Sequence, residues 1–336
     1  MNKVNINKLS DRKSDLIMLG ASEESIKTLE TKIMSGLPSF DISETRNIQG
    51  GHVNIIFPIK TNNPEKGYYF SNFKAQFYKD KPKEEGHAYF VVTPGDDGKN
   101  TSKKFENLKE GFEEFKNRKD SILTVGINPA KSSIVAERVN GGISITRDFR
   151  YYLESQQKPV EQTFYLQEGK GGFSIEQASH LVAGRFVFRN DLVSTVGIKQ
   201  QAWLGLDMER GKADETKNYP IKPYFHPNYP FDLESTIKDY KIKFLQGEKE
   251  NHPKNMTELI TSFKNGDSPH ILGNVNGEEK RLRVEAAVRF KTLNFFDMGG
   301  KPVKRELLLS KDGQAKFAER SKAKENTVSQ AQGIER

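Results

Sequence analysis

The sequence predicts an α+β protein. It reads as two related modules of antiparallel sheet with packed helices, preceded by a helical lead-in and followed by a flexible C-terminal tail. Three observations predict this. A pattern occurs twice, in residues 54–78 (NIIFPIKTNNPEKGYYFSNFKAQFY) and 203–234 (WLGLDMERGKADETKNYPIKPYFHPNYPFDLE). Each copy passes from an apolar strand-like run through a charged turn into an aromatic stretch. Short β-type runs are punctuated by Gly, Pro and Asn turns. Between them lie segments with apolar residues at helical spacing. The expected division is 1–155, 156–310 and a basic tail over 311–336.

The lead-in covers residues 4–36. Ile26, Leu29, Ile33 and Met34 recur at helical spacing, Ser22 stands where an N-cap belongs, and Gly36 where a helix ends. Three strands follow: GGHVNIIFPIK, GYYFSNFKAQFY and GHAYFVVTP. Ser102 is a candidate cap for a helix whose stripe is Phe105, Leu108, Phe112 and Phe115, and this stripe reads as core packing. NRKDSILTVGI returns to the sheet. Residues 130–160 are less regular, with a hairpin around Gly141–Gly142 and a boundary near residue 155.

In the second half Ser174 caps SIEQASHLVAG and Gly184 ends it. RFVFRNDLV and QAWLGLDM read as strands. The prolines of YPIKPYFHPNYP keep that run out of the middle of a sheet. FDLESTIKDY is a short helix capped by Asp232, and NMTELITSFKNG another, ended by Gly266. SPHILGNVN and KRLRVEAAVRF form a hairpin across Asn276–Gly277. After about residue 311 the apolar pattern fades, which predicts a frayed helix or a disordered tail.

Composition narrows the function classes. The chain has 336 residues, and 22 Phe and 11 Tyr supply a substantial core. It has no cysteine, which removes disulfides, thiolate catalysis and cysteine-bound metal sites together. No run approaches the roughly 18 apolar residues that span a bilayer. The first residues lack the apolar core of a secretory signal. The expectation is a cytoplasmic protein with no membrane partner. The net charge of +8 favours a polyanionic partner, although lysines that simply face solvent give the same number.

Catalytic motifs are missing. The six histidines show no i, i+4 pair and no HExxH. EGKGGFS precedes a helix but lacks the phosphate-loop pattern, so it reads as a flexible turn. Asp207 is the best single candidate for a buried acid, yet no partner for it is recognisable, and no GxSxG occurs. Neither a catalytic residue, a metal ligand nor a cofactor is assigned.

The informative segments mix cations with aromatics. GYYFSNFKAQFYKDKPK carries Tyr68, Tyr69 and Lys74. RFVFRN carries Arg185 and Arg189. KRLRVEAAVRFK carries Arg281, Arg283 and Arg289. Strand alternation sends one set of side chains inward and the other outward. Outward arginines beside aromatics bind a nucleic-acid backbone and stack its bases. Trp203 is a further candidate stacking surface. The competing reading has the aromatics in the core and the cations solvated. From Lys301 onward nine basic residues face five acidic ones, a mildly basic tail of a kind that adds nonspecific affinity.

Several segments carry a resemblance: FSNFKAQF (70–77), FSIEQASHLVAGRFVFR (173–189), AWLGLD (202–207), NYPFDLE (228–234), LITSFKNGD (259–267) and RFKTLNFFDMGG (289–300). On these the chain resembles proteins of unknown function carried on conjugative plasmids and transposons of Bacteroidetes. They cover the second half almost throughout and the first more loosely. The resemblance implies a cytoplasmic accessory of a mobile element and transfers no active-site residue. The reading that follows is a non-enzymatic accessory protein that contacts DNA or RNA. The alternative is a protein–protein interaction or assembly module of a transfer or maintenance machinery.

Overall fold

Two helices open the chain, α1 (Ile6–Leu19) and α2 (Glu23–Met34). The lead-in is thus broken in two, because Gly20 turns left-handed (φ +83°) and its N–H closes on the Ile17 carbonyl at 2.9 Å. Ser22 restarts the helix by accepting from the Ser25 N–H at 3.2 Å. The computed structural model describes residues 6–79, 86–95, 98–139, 142–146, 159–166, 172–213, 217–245, 252–275 and 277–319. Gly141, Asn276, residues 168–171 of the glycine-rich loop and residues 320–336 of the tail lie outside them.

Among the described residues the architecture is mixed α+β with four antiparallel sheets. The first has the order β1-β2-β3-β9, formed by Ser39–Ile48, Gly51–Lys60, Asn72–Lys79 and Val160–Tyr165. The second is β5-β4-β6-β7-β8: Asn100–Phe105, Ala88–Pro94, Ile122–Asn128, Lys131–Val139 and Gly142–Ile145. The third joins β10 (Val187–Val193), β11 (Lys199–Leu206) and β12 (Ile221–His226). The fourth is β13-β14-β15-β16-β17: Ile242–Lys243, His270–Val275, Glu278–Ala287, Thr292–Phe296 and Pro302–Val303.

The chain divides into two compact units, Met1–His226 with the first three sheets and Pro227–Arg336 with the fourth. A boundary near residue 155 does not separate compact units. The reason is β9, which pairs along β3 and stacks Phe164 on Phe73 with ring centroids 5.4 Å apart. Residues 131–139, expected to be less regular, form a strand beside β6 whose register shifts twice, between Leu123 and Thr124 and between Gly126 and Asn128. Both copies of the repeated pattern open on an antiparallel pair, β2–β3 and β11–β12, and the second copy runs on past His226 into the next unit.

Alternation builds the core of unit 1. Val53, Ile55, Phe57 and Ile59 of β2 are fully buried on one face, against Phe73 and Ala75 of β3. Each such side chain contributes roughly 1.5–3 kcal/mol. Leu16, Leu29 and Ile33 of the lead-in belong to the same core, as do Ile175, Ala178 and Leu181 of α4 (Ile175–Val182). Helix α4 starts in a full capping box between Ser174 and Gln177. The second sheet packs around Phe115 and Leu108 of α3 (Leu108–Lys116). Ser102 is not its cap: it lies in β5, and Asn107 caps the helix by accepting from the Glu110 N–H at 2.9 Å. Phe105 accordingly ends a strand. Pro223 sits on β12, an edge strand, as its missing N–H requires.

In unit 2, Leu282, Val284, Leu293 and Phe295 are buried on one face of the fourth sheet. Helices α5 (Leu233–Lys238) and α6 (Met256–Asn265) begin at Asp232 and Asn255, and α6 ends at left-handed Gly266. Val275 pairs with Glu278, so β14 and β15 form the expected hairpin. Residues 311–319, expected to begin a frayed helix or a disordered tail, are helical. They fit closely because Gly313 has no side chain: a Cβ there would stand 2.1 Å from the Asp239 carbonyl oxygen. Lys316 then pairs with Asp239 at 2.6 Å. Among the described residues no helix is long and apolar enough to cross a membrane.

Candidate nucleic-acid interface

Strand β15 ends at Ala287, and the chain turns through one 3-10 turn, Val288–Phe290, before β16. Val288 is buried and anchors the turn, so its neighbours Arg289 and Phe290 face outward. Phe290 is 67% exposed, a large apolar ring held in water. Lys291 completes the reversal with φ at +51°, a region that side chains rarely adopt. The hydroxyl of Tyr229 fixes the backbone by donating to the Val288 carbonyl at 3.1 Å and the Arg289 carbonyl at 2.8 Å. The Arg289 guanidinium lies 5.7 Å from the Phe290 ring centroid, and the Lys291 ammonium 4.2 Å from that of Tyr229. Two cations and an exposed ring thus share one short turn.

On the polar face of the same sheet, Arg281 and Arg283 project two residues apart, with His270 directly opposite Arg283. Nη2 of Arg281 donates to His252 Nε2 at 2.8 Å and to His270 Nδ1 at 3.0 Å. The two rings stand 5.7 Å apart, edge to face. Burial, then the charge of Arg281, pushes the His270 imidazole down to about 4. Arg283 is buried, lies 4.3 Å over the Phe296 ring and pairs with Glu285 at 3.2 Å.

The remaining predicted residues are dispersed. Lys74 on β3 is half-exposed and pairs with Glu161 at 3.3 Å. Tyr69 is exposed, with its backbone paired to Lys60. Arg185 donates to the Gln49 carbonyl at 2.7 Å and lies 3.2 Å from His180 Nδ1. Four expectations are corrected. Tyr68 is a core side chain, tilted against Phe40 at 5.8 Å. Trp203 is buried, edge-on to Phe188 at 5.4 Å. Arg189 is 6% exposed and clamped to Asp191 at 2.6 and 2.7 Å, with a third bond to the Gly172 carbonyl. Arg283 is buried as described. None of these four presents a free face to a base or a phosphate. The strand reading of 281–289 fails at its end as well, because Arg289 stands on the turn and not on β15.

Unit 1 has its own polar face, on the first sheet. His52 stacks on Tyr78 with centroids 5.1 Å apart and rings nearly parallel at 6°. Lys109 of α3 reaches Asn54 Oδ1 at 3.3 Å and Thr45 Oγ1 at 3.4 Å. Burial, then the Lys109 charge, holds His52 down at about 4. Burial lowers Lys109 itself, against the opposing charges of Glu113 and Glu110.

Local spacing hides these groupings. His252 precedes α6 and His270 opens β14, so the return of the chain after the helix, not local spacing, brings them together. Phe290 and Lys291 lie inside the basic–aromatic segment KRLRVEAAVRFK and Tyr229 inside NYPFDLE, but none of the three is singled out by the sequence as a site residue. Comparison of the chain with protein-family models, with curated proteins and with solved structures finds no match.

Proposed function

We propose that the chain is a non-enzymatic, cytoplasmic accessory protein of a mobile genetic element and that it contacts DNA or RNA through the basic–aromatic turn of unit 2. The observation that carries this reading is Phe290, an exposed ring flanked by Arg289 and Lys291. Bases stack on such a ring whatever their sequence, and the cations take adjacent phosphates. The net charge of +8 draws a polyanion to the surface. The mobile-element setting rests on the sequence resemblance. In the same reading, the β2–β3 and β11–β12 pairs descend from one duplicated module.

The test is fluorescence anisotropy against labelled single-stranded and duplex DNA and RNA, from low to physiological salt. Binding that weakens steeply with salt is expected. Phe290→Ala costs about 1–3 kcal/mol of that affinity, and Arg289→Glu lowers it further and flattens the salt slope. No binding at low salt overturns the proposal.

A protein-binding role has one specific observation in its favour. The end of β10 and its connection to β11 expose Val193, Val196 and Ile198, the second by 77%. An apolar contact made there survives the salt that strips a phosphate-bound protein.

A further inference from the structure

The exposed part of the Phe290 turn is short. The residues that lead into it and out of it, Ala287, Val288, Thr292 and Leu293, are buried. The Thr292 hydroxyl is tied to the Tyr240 hydroxyl at 2.6 Å, inside the unit. Farther from the turn the two strands are paired on their outer sides, β15 with β14 and β16 with β17. What reaches solvent is Arg289 and Phe290, with Lys291 partly exposed behind them. A β-ribbon that reads a duplex lays both of its strands in the major groove, about 12 Å wide. This pair of strands cannot do so, because the body of unit 2 covers them up to the turn.

The helices of unit 2 supply no groove reader among the described residues. Helix α5 has one cation, Lys238, paired with Glu234 at 2.6 Å. Helix α6 has one, Lys264, and its exposed side also carries Glu258. In the helical segment 311–319, Lys316 is tied to Asp239. None of the three holds an arginine. A helix docked in a groove brings several side chains at once to base edges and phosphates.

The turn suits a different form of strand. The two bonds from the Tyr229 hydroxyl and the left-handed Lys291 hold its backbone, so the ring is in position before a ligand arrives. Inside a duplex each base is stacked on both faces, and a protein ring gains a face only by prising a step open. Unpaired bases are splayed and offer their faces without that cost. We propose that the turn selects single-stranded over duplex nucleic acid: one unpaired base stacks on Phe290 while Arg289 and Lys291 hold the phosphates on either side. The selection rests on the nucleic-acid reading of the same turn and adds the form of the strand to it. It runs against charge, because the phosphates of a duplex are denser than those of a single strand.

The test uses the full chain and one labelled oligonucleotide of mixed sequence, alone and annealed to its complement, by fluorescence anisotropy at a single low salt concentration. A third probe keeps the phosphates of the single strand but carries stable abasic sites throughout. The single strand is expected to bind roughly tenfold more tightly than the duplex or the abasic strand. Phe290→Ala is expected to weaken the single strand by roughly tenfold and to leave the other two probes unchanged. Phe290 lies on the surface, so the variant keeps the core intact. Phe290→Trp, which restores a stacking face, is expected to bind as wild type. A duplex that binds as tightly as the single strand overturns the selection and leaves the broader nucleic-acid reading standing. A loss of equal size on all three probes in Phe290→Ala does the same. Absence of binding to every probe overturns the two together.

Discussion

The two units each set a partly buried cation beside a histidine on the polar face of a sheet, and they resolve the conflict in different ways. In unit 1 the cation is Lys109, which rests on the neutral acceptors Asn54 and Thr45 and has its own proton affinity lowered by burial. In unit 2 the cation is Arg281, whose acceptors are the histidines themselves. Lysine relaxes an unfavourable charge by giving up a proton, and arginine has no such route. Similar depression of a histidine thus accompanies a cation that can lose its proton in one unit and one that cannot in the other.

The sharpest way to break this comparison is to remove a carboxylate from each face. Glu285→Ala strands Arg283, whose side chain is only 11% exposed. Loss of a buried partner costs about 3 kcal/mol, read as a lower urea midpoint for unit 2. An unchanged midpoint would show that Arg283 is not committed to that pair.

Acid gives the next effect. His52 and His270 titrate at about 4 in the fold against an ordinary value of 6.5. The unfolded chain binds the extra protons first, so stability rises with pH across this window. The contribution of each ring is complete above about pH 6.5 and is lost as pH falls toward 4, with a size on the order of 1–3 kcal/mol. Urea titrations at stepped pH check this, and His52→Asn and His270→Asn should each flatten the dependence. A flat profile in the wild type would contradict burial as the leading cause.

The smallest effect is Glu161→Ala in unit 1. It frees Lys74, which is already 40% exposed, and should change stability by less than about 1 kcal/mol. A loss as large as that of Glu285→Ala would erase the contrast between the faces.

The local parts of this fold were legible in the sequence. Ser22, Ser174, Asp232 and Gly266 all stand at helix ends, because capping depends on residues three or four apart. Asn107 was missed in favour of Ser102, since β5 runs on to Phe105 and consumes the serine. The placing of β9 was hidden: its pairing with β3 spans a long stretch of sequence and rests on Phe164 meeting Phe73. The site was half legible for the same reason. Alternation correctly groups Arg281 with Arg283 on one face, but it says nothing of what covers that face, so the ion pair of Arg283 and the histidine-bound guanidinium of Arg281 read alike. Tyr68 and Trp203 show the converse, aromatics beside cations that the core takes up.

Lys291 has a further consequence. Its left-handed backbone is one that glycine adopts freely and that costs other residues about 1–2 kcal/mol. A screen that selects only for thermal robustness would favour glycine at this position. It would thereby discard the ammonium over Tyr229 and leave Phe290 with a single flanking cation. The hardiest version of this turn and the version best equipped to hold a polyanion are different sequences.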